Sequence, residues 1–91
     1  MALNLQEIEK LLRNNGPDKA KEELDLFLKE NPESAEGWYL MGGILRRGEH
    51  WGEAINALNK AKFLDPAGPA ANAIEYIYDI LNYRNNDNMN P

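Results

Sequence analysis

The chain contains no cysteine, which excludes disulfides and thiolate metal ligands. Histidine occurs once. His50 follows Glu49, in a stretch that reads as a turn, and no second histidine or cysteine can complete a nucleophile–base pair with it. No glycine-rich loop ends in Lys-Ser or Lys-Thr, as a phosphate cradle would. Metal-ligand clusters are missing too, and the carboxylates, Glu22-Glu23 among them, have the spacing of solvated helix faces. These absences predict no catalytic residue, no cofactor, no metal and no enzymatic activity. Long apolar runs are also lacking. Trp38 to Leu45 is the longest, interrupted by two glycines and far short of the roughly 20 residues of a membrane span. The opening residues carry Gln6, Glu7 and Glu9, unlike a secretory leader, so the cytoplasm is the expected location. Positive charge is in deficit: 10 Lys and Arg against 15 Asp and Glu leave a net charge of −5. Nucleic acid and anionic membrane surfaces are therefore not expected partners.

What the chain does have is helical periodicity. Its 91 residues are 43% hydrophobic and 27% charged, an ordinary globular composition for one domain. Trp38, Met41 and Leu45 fall at i, i+3 and i+7 and share a helix face. Trp51, Ala54, Leu58 and Ala61 form a matching stripe, with Gly48-Glu49 as the turn between them. Gly42 lies inside the first of these helices, where glycine costs about 1 kcal/mol against alanine. That cost predicts a second helix too close for a Cβ, and Gly42-Gly43 together read as a packing pair.

A shift of 34 residues carries Pro66 to Pro32, Ala54 to Ala20, Leu58 to Leu24 and Leu45 to Leu11. Residues 1–34 thus read as an earlier, degenerate copy of residues 35–68. In that copy Ile8 replaces the glycine, Asn4 the tryptophan, Glu7 the methionine, and Phe27 stands for Ala61. Asn4 with Glu7 reads as a capping box, although the repeat register would start the helix about two residues earlier. Gly16 reads as a left-handed helix end, Pro17 as a first helical position and Ser34 as an N-cap. The predicted helices cover about 4–15, 17–30, 35–47, 51–64 and 70–83, with a frayed tail over 85–91.

The fifth segment has one narrow polar strip, Asn72, Glu75, Asp79 and Asn82, and is apolar nearly everywhere else. The strip falls where a further helix would pack, so the segment, with its turn at about 69–84, reads as a terminal cap with a solvated outer face. Ile77 and Ile80 either complete a small core or face something else; periodicity leaves both open. Two repeats and a cap are also fewer than the about three units that arrays typically need, which makes a homodimer through the fifth helix or a groove a reasonable expectation.

The spacing Trp38-x2-Met41-Gly42-x2-Leu45, followed by Ala54-x3-Leu58, Ala61 and Pro66, resembles the tetratricopeptide repeat. Met41, Leu45 and Leu58 replace that family's usual Leu, Tyr and Phe and keep their size. The resemblance spans about 1–84. It implies an all-α, right-handed α–α superhelix of two helical hairpins and a capping helix. It also implies that a peptide or protein segment is held in the concave groove between the first helices of successive repeats. Mapped residue by residue, the groove comprises Leu5, Glu9, Leu12 and Arg13 from the first helix. The third adds Tyr39, Gly43, Arg46 and Arg47, and the fifth Ala73, Ile77 and Ile80. Some members grip a C-terminal carboxylate with lysines and asparagines. Leu5, Glu9 and Gly43 stand at those places here, so that clamp is missing. Arg46 and Arg47 either pair with acidic groups of a partner or complement the dipole of their own helix, and Tyr39 either stacks on a ligand or packs.

Overall fold

The computed structural model describes residues 3–89, with side chains for 3–83. Five helices follow one another: α1 (Leu5–Asn15), α2 (Pro17–Glu30), α3 (Ala35–Arg47), α4 (Trp51–Leu64) and α5 (Ala70–Met89). No strand occurs among the described residues. Each helix packs mainly on its neighbours in the chain, so α1 with α2 and α3 with α4 form two helical hairpins, and α5 lies on α4.

Local chemistry sets the boundaries. The Glu7 backbone N–H donates to Asn4 Oδ1 at 2.8 Å, and the Asn4 N–H donates to Glu7 Oε1 at 3.0 Å. This reciprocal box starts α1 at Leu5 and not two residues earlier. Gly16 closes α1 by donating to the Leu12 carbonyl at 3.2 Å. Its φ of +89° is one that side chains rarely adopt, although its ψ of 177° places it outside the left-handed helical basin that was expected. Pro17 then opens α2 at a position where no N–H is required. Ser34 Oγ accepts the Gly37 N–H at 3.0 Å and caps α3. The Trp38 indole N–H donates to the Pro32 carbonyl at 2.8 Å, and Lys60 Nζ lies 4.2 Å from the centre of the same ring. One tryptophan thereby ties the turn after α2 to α3 and α4. In the turn before α4, Glu49 takes the positive φ (61°) while Gly48 does not.

The core is a single apolar cluster through all five helices. Ile8, Leu24, Leu58 and Ile77 are its largest fully buried side chains, and among the described residues no polar or charged side chain is buried with them. The α3–α4 contact is the tightest point. A Cβ built on Gly42 would stand 2.6 Å from both Cγ and Cδ2 of Leu58, so the expected close approach is present. In the first hairpin Ile8 occupies the place of Gly42 and is itself fully buried, while Phe27, in the place of Ala61, is half-buried. A side chain there does what a bare backbone does in α3.

Two expectations for the last segment need correction. The helix does not end near Tyr83; α5 continues to Met89, and residues 90–91, the last of the expected tail, lie outside the described ones. Asn85, Asn86 and Asn88 are weak helix formers costing at most about 0.7 kcal/mol each. No glycine or proline stands between 70 and 89 to stop propagation. Second, Ile77, which the repeat register maps to the groove, is 0% exposed and belongs to the core with Ala70 and Ile74, the first of the two alternatives left open for it, all three being buried on one side of α5. The polar strip Asn72, Glu75, Asp79 and Asn82 is exposed, as expected of an outer face.

Candidate functional site

A cleft of about 520 Å³ opens where α1, α3 and the start of α5 come together. Leu5, Glu9 and Leu12 line it from α1, Tyr39, Gly43, Arg46 and Arg47 from α3, and Ala73 from α5. The structure therefore brings together most of the groove read from the repeat pattern. Three residues do not take part. Arg13, one position past Leu12 and so turned by about 100°, is exposed elsewhere. Ile77 is buried beneath α5, and Ile80 is half-buried on its flank beyond the cleft.

The rim also includes residues that the repeat pattern did not nominate. Asp65, Gly68 and Pro69 line it from the α4–α5 turn, and Glu36 lines it from the start of α3. Matching first helices to first helices leaves turns out. The signal available was the Gly68-Pro69 pair, which brings backbone to a surface that helices otherwise line.

Charge is divided along the cleft. Arg46 and Arg47 occupy the last turn of α3 and Glu36 the first. At 1.5 Å per residue the ten-residue step from Glu36 to Arg46 separates the two ends by about 15 Å. One end of the cleft is therefore basic and the other, with Glu36 and Asp65, acidic, while Glu9 projects from α1. The Arg46 guanidinium sits 5.6 Å from the centre of the Tyr76 ring on α5, so it is held by a cation–π contact and is half-buried. A stacked guanidinium keeps its N–H donors at the ring's edge for a carboxylate.

The two adjacent glycines of α3 prove to be different. Gly42 packs on Leu58, but a Cβ on Gly43 would meet nothing within 4 Å. The reading of Gly42-Gly43 as a packing pair thus holds for the first alone. Gly43 incurs the helix penalty of about 1 kcal/mol although a Cβ there would have room, and it lines the cleft. His50 is exposed in its turn, as expected. Among the described residues, no group of three or more His, Asp or Glu is placed to hold a metal ion. No helix is long and apolar enough to cross a membrane among them.

No family model matches the chain, and no curated protein does. A solved structure does. The solution NMR structure of Bacteroides fragilis protein BF1650 superposes with a TM-score of 0.78 and 33% sequence identity, over 88% of this chain and 82% of that one. The chain belongs to one family with BF1650. With BF1650 the shared property is the helical fold itself, at an identity high enough for common descent and a coverage that takes in most of the chain.

Proposed function

We propose that the chain is a small tetratricopeptide-like interaction module of the cytoplasm, without catalytic activity, that holds an apolar or amphipathic segment of a protein in the α1–α3–α5 cleft. In this reading the two hairpins and α5 wind as a right-handed superhelix, with the cleft on its concave side. The observation that carries the reading is Gly43. A glycine that weakens its helix, has free space where a Cβ would stand and opens onto a cleft is the residue needed where another chain comes close to the backbone. The rest of the lining suits such an occupant. Leu5, Leu12 and Ala73 offer apolar walls, Tyr39 is 40% exposed at the rim, and Arg46 and Arg47 offer donors to carboxylates. The arginines also complement the α3 dipole, a role compatible with the first.

A dye-labelled amphipathic peptide, with a leucine stripe and glutamates along one edge, tests this by fluorescence anisotropy. Wild type is expected to bind it. Gly43→Trp, which fills the cleft from a position where a side chain has room, is expected to weaken binding by at least about tenfold, or 1.4 kcal/mol. Phe63→Ala, at a residue 84% exposed and outside the cleft, is expected to change nothing. Equal binding by wild type and Gly43→Trp would contradict the reading.

A further inference from the structure

The cap helix leaves a second apolar surface uncovered. Tyr76, Ile80 and Tyr83 follow one another at i, i+4 and i+7 along one strip of α5. Tyr76 is 55% and Tyr83 71% exposed, and Ile80 is half-buried. On a wheel of 100° per residue the strip lies between the buried side, Ile74 and Ile77, and an acidic border of Asp79 and then Glu75. It starts at the cleft, because Ala73 lines the cleft and Tyr76 lies beneath Arg46. Over its length α5 carries three carboxylates, Glu75, Asp79 and Asp87, against one cation, Arg84.

One chain thus holds both halves of a match. The cleft offers an apolar floor, a bare backbone at Gly43 and two arginines at one end. The helix offers an aromatic strip bordered by two exposed carboxylates. We infer that the occupant of the cleft is the α5 helix of a second copy of this chain. Ile80 and Tyr83 lie against Gly43 and Tyr39, with Asp79 and Glu75 directed to Arg46 and Arg47. The inference rests on the reading of the cleft as a segment-holding site and names its occupant. With both contacts made between the same two copies, the exchange is reciprocal and closes at two. The Arg46–Tyr76 stack within each copy leaves the guanidinium edge available to the incoming carboxylate. The charge of −5 on each chain opposes association, but at physiological salt such a field is screened beyond about 8 Å, whereas direct pairs are screened less.

Sedimentation equilibrium over a range of concentrations tests the inference, with far-UV circular dichroism confirming that each variant is folded. Wild type is expected to run at twice its 10.3 kDa. Arg46→Glu with Arg47→Glu is expected to weaken the dimer by at least about tenfold. Adding Glu75→Arg and Asp79→Arg to the same chain is expected to restore it, which loss of fold would not allow. A wild type that stays at 10.3 kDa at hundreds of micromolar overturns the inference, and so does a dimer indifferent to the arginine reversal. A monomer that still binds the labelled peptide, and loses it on Gly43→Trp, removes the second copy as occupant while leaving the cleft reading intact.

Discussion

Ile77→Asp is expected to leave the chain without its helical fold. The side chain is 0% exposed and lies in a core where, among the described residues, no polar side chain is buried to receive a charge. Removing the isoleucine forfeits about 1.5–3 kcal/mol of burial. A carboxylate left there without a partner costs several kcal/mol more, or must take up a proton at comparable expense. Against this stands a total stability of about 5–14 kcal/mol for a chain of 91 residues, with small domains at the lower end. Ile80→Asp, three residues on and half-buried, is expected to remain folded with a modest fall in melting temperature. Thermal melts followed at the helical circular dichroism band check both. If Ile77→Asp melts as wild type does, Ile77 is a surface residue and the packing of α5 described above is wrong.

The second large effect is a reversal of sign at Gly42. Leu58→Ala removes a fully buried leucine and is expected to cost about 2–5 kcal/mol. Gly42→Ala alone forces a Cβ into Leu58, an overpacking of about 1–3 kcal/mol that outweighs or cancels the gain of about 1 kcal/mol in helix propensity. In the Leu58→Ala background the obstruction is gone and the propensity gain remains. Gly42→Ala should therefore stabilise the Leu58→Ala protein while destabilising or leaving unchanged the parent. Urea unfolding of the four proteins in a double-mutant cycle measures the coupling directly. Additive effects would mean that α3 and α4 do not meet at these two residues.

Both effects concern positions where sequence and structure can be set side by side. The caps were legible, because Asn4 with Glu7, Pro17 and Ser34 act through local geometry that spacing alone encodes. The close approach at Gly42 was legible for a related reason: a mid-helix glycine beside the apolar stripe of Trp38, Met41 and Leu45 has an energetic cost that packing must offset. Gly43 was misread because it carries the same local cost, and only its surroundings show that nothing presses on it. Ile77 and Ile80 could not be separated on a helix apolar over most of its circumference, since the side that meets α4 is decided by tertiary packing. The length of α5 was missed because a run of asparagines reads as a helix end, yet none of them is a helix breaker. Of the cleft, the walls came from helix registers and were mostly legible. The rim at Asp65, Gly68 and Pro69 came from a turn that no periodicity describes.

What unites these observations is that α3 has two faces doing different work, one closed on Leu58 and one left open at Gly43. Backbone amide chemical-shift mapping of the folded chain, titrated with the labelled amphipathic peptide, tests that most directly. The expected result is a continuous set of shifted resonances at Leu12, Tyr39, Gly43, Arg46 and Ala73, with Phe63 and Leu26 unmoved. Shifts centred on Phe63 or Leu26 while Gly43 stays silent would contradict it.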